Sequence, residues 1–204
     1  MISFSGIDGS GKSTLADRAV EYLHEKGKNA VKLEVYAGSV FLSVGRVIGR
    51  LSGRMKSGLE SKMTLPEGKM GKLAKWARVF CFRIDMFTIG IKRNILKARG
   101  ILPVCDRYLY DTLINLKYLD AIDETQYKSF LNKIRRPEVP FLLYLDGACA
   151  KDREGQHDDM SYYTEKIKLY EELAGRTNLI KTDSSSDREK VWSSVKNVID
   201  SKII

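Results

Sequence analysis

"GIDGSGKST", residues 6–14, is the stretch on which the reading of this chain turns. Gly6, Gly11, Lys12 and Ser13 fill every fixed position of G-x-x-x-x-G-K-[ST]. Ile2-Ser3-Phe4 precedes it as a short apolar run suited to a buried strand, and Leu15, Ala16, Ala19, Val20 and Leu23 follow at helical spacing. A strand that turns abruptly into a helix leaves backbone N–H groups pointing at one place, and glycines let that backbone wrap closely round an anion. Gly6, Asp8, Gly9, Ser10, Gly11, Lys12, Ser13 and Thr14 are therefore the candidate nucleotide-binding loop. In it Lys12 neutralises the outer phosphates, and the Ser13 hydroxyl is a ligand for the Mg²⁺ that a nucleotide carries.

The chain has 204 residues, 43% of them hydrophobic, enough for one domain with a real core. The strand starting at Ile2 leaves no room for a signal peptide, and no apolar run reaches the roughly 20 residues of a membrane span. A cytoplasmic protein is expected. Cys81, Cys105 and Cys149 are odd in number and far apart, so they are expected as buried thiols rather than a disulfide framework or zinc pair. His24 and His157 are expected on the surface. The net charge of +9 is unevenly placed: residues 45–99 hold 14 Lys/Arg against 3 Asp/Glu, and the remainder is slightly acidic. Such a field suits polyanions in general, whether phosphorylated substrates, nucleic acid or an anionic membrane.

Val31, Leu33 and Val35 alternate as a second strand. Residues 37–53 carry an amphipathic helical stripe, and residues 53–71 break every period. A long helix follows: Leu73, Ala77, Phe80, Ile84, Phe87, Ile91 and Ile95 recur every three or four residues until Gly100, a face expected to pack on the core. Ile101–Cys105 and Phe141–Leu145 are apolar runs ending in Asp106 and Asp146, and Asn178–Thr182 is a weaker strand. Pro103 is awkward in a central strand, which can hardly spare an N–H. Helices are expected over 107–119, 124–135, 160–174 and 187–203, with a polar stretch from Lys151 to Asp159. Strands alternating with helices imply a parallel sheet covered on both faces, with ligands at the carboxyl ends of the strands. Gly6, Asp106 and Asp146 all fall at such ends.

"FSGIDGSGKST", "VCDRYLYDT" and "PFLLYLD", in that order, together with the helix "DMSYYTEKIKLYEELA", resemble thymidylate kinase and its relatives among the nucleoside monophosphate kinases over nearly the whole chain. The resemblance implies a single α/β P-loop domain over 1–204. It would have a five-stranded parallel sheet flanked by helices, a basic insertion at about 45–72 and a short lid at about 150–159. It also implies phosphoryl transfer from ATP with Mg²⁺ to a nucleoside monophosphate, most simply dTMP to dTDP, commonly in a homodimer. Asp8 then contacts the acceptor sugar, or only caps the turn. Asp106 lies near Mg²⁺ together with Ser13, or only caps the next helix, and Arg107 meets the phosphates as a catalytic residue beside Lys12. Arg83 is the candidate grip on the acceptor phosphate, or a surface arginine; Phe80 stacks on the acceptor base, or packs in the core. Where the family loop carries an arginine after the acid, this chain has Gly9, which goes with a catalytic arginine from the lid; Arg153, with Lys151 beside it, is the candidate, unless the segment is a solvated charge run. Ser184–Ser186 would border the adenine, or form a simple loop.

Ser5 stands where the family often has Glu, and Asp111-Thr112 where it has two small hydroxyl residues, so thymine recognition comes from the resemblance and not from residues read here. Two other readings use the same residues. One is a deoxynucleoside or other small-molecule kinase in which Asp106 or Asp8 takes a hydroxyl proton. The other is a nucleotide-gated module that applies the basic segment to nucleic acid or membrane. No nucleic-acid partner is expected, because aromatic and basic residues do not interleave as a stacking platform.

Overall fold

The computed structural model of the protein describes residues 1–35, 71–154 and 160–204. The helix expected over 37–53, the irregular stretch over 53–71 and the far part of the lid, with His157, lie outside the described residues. In chain order the elements are β1 (Ile2–Gly6), α1 (Lys12–Glu25), β2 (Ala30–Glu34), α2 (Lys72–Ala98), β3 (Leu102–Asp106), α3 (Leu109–Tyr118), α4 (Glu124–Lys133), β4 (Val139–Tyr144), α5 (Gly147–Glu154), α6 (Met160–Arg176), β5 (Ile180–Asp183) and α7 (Arg188–Ile203). Five strands form one sheet in the order β2-β3-β1-β4-β5, every pair parallel.

Strand alternation divides the core between the two faces of this sheet. Ile2 and Phe4 of β1, Val104 of β3 and Val139, Phe141 and Leu143 of β4 meet Leu15, Ala16, Ala19 and Leu23 of α1 and Val191, Val195 and Ile199 of α7. Phe4 and Phe141 stack with centroids 5.1 Å apart. On the other face Cys105 and Leu142 pack with residues of α2, α3, α4 and α6. Of the three thiols only Cys105 is fully buried; Cys81 and Cys149 are half-buried. His24 is exposed, in contact with the Ala30 carbonyl.

Pro103 is tolerated because of register. Leu102 N–H donates to Asn29 on the β2 side and Arg107 N–H donates to Phe4 on the β1 side, so alternate residues of β3 serve the two neighbours. The β1–β3 ladder begins at Ile2–Val104, one residue beyond Pro103, so the missing N–H removes no bond to β1.

The long helix corrects the expected packing. Its inward face is Phe82, Asp85 and Ile89, with Val79 and Met86 packed beside them. The stripe expected in the core faces mostly out instead: Leu73 is 79% exposed and Phe87 71%, with Ala77, Phe80, Ile91 and Ile95 also exposed and Ile84 half-buried, and Trp76 beside them is 64% exposed. Helical periodicity locates apolar faces but does not say which neighbour covers each; α2 has two.

Two boundaries also move. The chain after β4 is helical from Gly147 to Glu154, so the polar stretch expected from Lys151 begins inside a two-turn helix in which Ala148, Ala150, Lys151, Arg153 and Glu154 are good helix formers. The helix expected from Arg107 starts at Leu109, because Arg107 takes a left-handed φ of 68° and Tyr108 is extended.

Gly6 ends β1 at a φ of +148°, where a Cβ would lie 2.5 Å from the Leu143 carbonyl oxygen of the adjacent strand. Backbone cannot yield there as a flexible side chain would. Gly6→Ala is expected to destabilise the fold by about 3 kcal/mol or more, read as a lower denaturant midpoint at unchanged slope; a shift under about 1 kcal/mol would show that β4 can move aside.

Candidate active site

The loop between β1 and α1 is shaped by its glycines. Gly9 and Gly11 take φ values of +79° and +85°, conformations that side-chain-bearing residues rarely hold. Ser10 N–H donates to Ile7 O across the turn. The buried Lys12 ammonium folds over the loop, donating to Ile7 O at 2.6 Å, with Ser10 Oγ at 3.3 Å and Asp8 Oδ1 at 4.0 Å. Ser13 and Thr14 are exposed on the first turn of α1.

Arg107 reaches the same loop from the end of β3. Its left-handed backbone turns the chain out of the strand while its N–H still donates to Phe4 O. The guanidinium Nη2 donates to Asp8 Oδ1. The other Asp8 oxygen accepts from the Tyr162 hydroxyl at 3.1 Å, and Lys166 Nζ stands 4.0 Å from it. Burial alone would raise the Asp8 carboxyl, but Arg107, Lys12 and Lys166 outweigh it and hold the group well below the usual carboxylate range. Asp8 is thus an ionised hub for three cations rather than a turn cap.

Asp106 does not cap α3. It is buried on the side of the sheet that carries α1, with Oδ2 3.5 Å from Lys32 Nζ, and Lys32 also donates to Asp17 Oδ1, one turn beyond Ser13. Asp106 Oδ1 has no hydrogen-bond partner among the described residues. A buried carboxylate oxygen left unpaired on the α1 side of the sheet can ligate a hard cation or accept a hydrogen bond from one of its waters. Ser13 and Asp106 therefore fit Mg²⁺.

The remaining candidates are less closely grouped. Arg153 lies on α5 against the loop: a Cβ on Gly9 would meet Ala150 O at 3.0 Å and Arg153 Cβ at 3.6 Å. Its guanidinium donates to Ser184 O at 3.0 Å, and Ser184 is in turn anchored to Tyr144 O. Arg83 is exposed, its guanidinium 5.6 Å from the centroid of the Phe130 ring on α4. Phe80 is half exposed and stacks on Trp76. Among the described residues, neither makes a hydrogen bond, ion pair or ring contact with the Asp8 cluster.

Three further residues belong to the site. The buried Asp111 carboxylate accepts from Gly6 N–H at 3.1 Å, from Tyr108 N–H at 2.9 Å and from the Tyr170 hydroxyl at 2.8 Å. One acid thereby ties the loop to α3 and α6. In the sequence Asp111 was visible only as a departure from the expected small hydroxyl residue. Tyr162 and Lys166 stand inside a quoted helix whose pattern reads as packing, and nothing in a 3.6-residue period marks them as polar partners of Asp8.

Comparison with known proteins bears on this geometry. No family model matches the chain. The probable thymidylate kinase of Methanocaldococcus jannaschii is 31% identical over 192 residues, covering 90% of this chain and 86% of the relative. The chain belongs to the thymidylate kinase family. The probable thymidylate kinase of Sulfurisphaera tokodaii is 28% identical over 97% of this chain and 94% of its own length, and the thymidylate kinase of Trichodesmium erythraeum 25% over 100% and 96%. As a family member the chain is a phosphotransferase of the nucleoside monophosphate kinase class, consistent with the parallel sheet and P-loop. Among its described residues no helix is long and apolar enough to cross a membrane.

Asp111→Ala leaves three buried donors without an acceptor and is expected to cost about 3 kcal/mol or more, whereas Tyr170→Phe removes one hydroxyl and costs about 1 kcal/mol. Chemical denaturation of both variants checks the order; equal losses would mean that Asp111 does not join the three segments.

Proposed function

We propose that this protein transfers the γ-phosphoryl group of ATP to a nucleoside monophosphate, with dTMP the preferred acceptor and Mg²⁺ the metal. The observation that carries this reading is the gathering of Lys12, Arg107 and Lys166 round one carboxylate at the carboxyl ends of β1 and β3. Three cations against the two carboxylates of Asp8 and Asp111 leave a surplus of one positive charge that phosphates balance. A nucleoside hydroxyl acceptor would ask instead for an uncommitted carboxylate beside these cations; Asp8 is already held by Arg107 and Tyr162, and Asp106, whose second oxygen is open, lies with Lys32 on the α1 side of the sheet.

The chemistry asks little covalent work of the protein, since the acceptor phosphate oxygen is already ionised. Lys12, released from Ile7 O, meets the outer phosphates of the donor. Arg107 turns from Asp8 to the acceptor phosphate and aligns it. Asp8, freed on one oxygen, accepts from the acceptor sugar hydroxyl. Ser13 and Asp106 would hold Mg²⁺, whose charge would offset that of the donor phosphates. Arg153, one helix turn from Ala150, supplies charge to the group in transfer, while Arg83 and Phe80 are the residues of α2 offered to the acceptor phosphate and base. A single kinase domain spans 1–204.

The outward stripe of α2 supports a homodimer. Six large apolar side chains lie along a helix about 40 Å long, a larger strip than a monomer ordinarily leaves to water. A two-fold axis brings such a strip against itself. The flanking Lys72, Lys92 and Lys97 then fall at the rim, where salt screens them.

ADP release with ATP, Mg²⁺ and a panel of nucleosides and nucleoside monophosphates tests the reaction. Turnover with dTMP is expected to exceed that with any nucleoside at least about 100-fold in kcat/KM, and Lys12→Met is expected to lower kcat by about 10²- to 10³-fold. A nucleoside turned over better than every monophosphate would overturn the reading.

Light scattering tests the assembly. The wild type is expected as a dimer and Phe87→Glu with Ile91→Glu as a folded monomer; a monomeric wild type that binds anionic vesicles would assign the stripe to a membrane surface instead.

A further inference from the structure

Lys166 is a costly residue for a structural part. It lies in the middle of α6, buried, with its ammonium donating to the Tyr162 hydroxyl and 4.3 Å from the centroid of the Tyr162 ring. The Tyr118 ring of α3 lies on another side at 5.7 Å. The charged groups that act on it are Asp8 and Asp111, which favour the ammonium, and Arg107 and Lys12, which oppose it. Asp8 and Asp111 together need two cations to be neutral, and Arg107 and Lys12 already supply them. A second ammonium buried beside the same carboxylate is therefore not required by folding.

The two oxygens of Asp8 divide the work. Oδ1 faces Arg107 and Lys12, the cations of the phosphate side. Oδ2 faces Tyr162 and, through it, Lys166. If Arg107 leaves Oδ1 for the acceptor phosphate while Lys12 turns to the donor phosphates, only the Oδ2 side remains to keep Asp8 ionised and aimed. We propose that Lys166, acting through the Tyr162 hydroxyl, is an acceptor-side positioning residue: it holds the Asp8 carboxylate in place when Arg107 is drawn onto the acceptor phosphate. This rests on the monophosphate-kinase reading given above. It adds to that reading the reason for a second cation on α6, and it predicts which substrate feels the loss.

The proposal has a signature in pH. Burial, more than the neighbouring cations, brings the Lys166 ammonium down to about 8, with Asp8 and Asp111 partly offsetting the shift. In the free enzyme the cation is present below that value and lost above it, so kcat/KM for the monophosphate falls as pH rises through about 8. The same shift has a stability sign. A lysine whose folded value lies below its unfolded value of about 10.4 weakens the fold while charged and ceases to do so as pH rises between the two. An apolar residue of similar length in its place then stabilises the fold at pH 7 and loses that advantage by pH 10.

The test compares the wild type with Lys166→Met and Lys166→Arg, using dTMP as acceptor and thermal unfolding as an activity-free readout. For Lys166→Met the expected results are a loss of at least about 10-fold in kcat/KM for dTMP, carried mainly by KM. The KM for ATP stays within about twofold, the limb near pH 8 vanishes, and Tm at pH 7 is raised. Lys166→Arg restores most of the activity and shows no limb below pH 10. An unchanged limb in Lys166→Met, an equal loss of ATP and acceptor affinity, or a lowered Tm at pH 7 would make Lys166 a structural residue and overturn the proposal. A wild type that turns over no monophosphate overturns the underlying reaction, an outcome separate from these because it appears before any variant is made.

Discussion

Asp111 satisfies the Gly6 N–H, the Tyr108 N–H and the Tyr170 hydroxyl with a single buried carboxylate, and three segments far apart in sequence meet there. Burying a carboxylate is costly unless its lone pairs are filled by donors fixed in place. Here the donors are fixed by the elements that the acid joins: the end of β1, the start of α3 and the middle of α6. The cations of the site depend on that joint. Lys12 follows Gly6 by six residues, Arg107 sits just before Tyr108, and Lys166 is one helical turn before Tyr170. A shift at any of the three donors would carry a cation away from Asp8.

The surplus charge of the site follows from this construction. Asp8 is the anion nearest to Lys12, Arg107 and Lys166, and the orientation of each cation is set by neutral groups: the Ile7 carbonyl for Lys12, the left-handed backbone for Arg107, the Tyr162 hydroxyl for Lys166. Dipoles fixed in advance hold charge without neutralising it, which is what binding and stabilising phosphates requires. The buried, unpaired oxygen of Asp106 has the same character on the opposite face of the sheet, kept as an acceptor that the protein itself does not fill.

The sheet and the loop were legible in the sequence because each rests on a local constraint. Period-two burial, a glycine where a Cβ would strike the next strand, and an acid where a strand ends all leave marks at short range. The outward face of α2 was not legible: Leu73, Phe80, Phe87 and Ile91 share the period of a buried stripe, and only the tertiary position of Phe82 and Ile89 shows which side meets the sheet. Asp111, Tyr162 and Lys166 were missed for a related reason. Their partners lie 105, 154 and 4 residues away, and even the nearby pair reads in sequence as two ordinary positions on a helix. Pro103 ran the other way, an apparent fault in a central strand that disappears once the β1–β3 ladder is seen to begin one residue later.

Gly9 joins the loop to α5 through one close backbone contact. A side chain at position 9 would run into the Ala150 carbonyl, and the backbone there is left-handed, so the absence of a side chain is what lets α5 lie against the loop. The family pattern described by the resemblance places an arginine at this position. In this chain Arg153 Cβ lies 3.6 Å from the point that a Gly9 Cβ would occupy. The stem of an arginine on the helix thus stands where a loop side chain would begin, and its guanidinium runs on to the Ser184 carbonyl. A side chain on the loop would press on the Ala150 carbonyl and strain a left-handed backbone, so α5 packed here disfavours a loop arginine. A loop arginine and a packed α5 compete through one close contact, and with Ala150 buried against the loop this chain has taken the second.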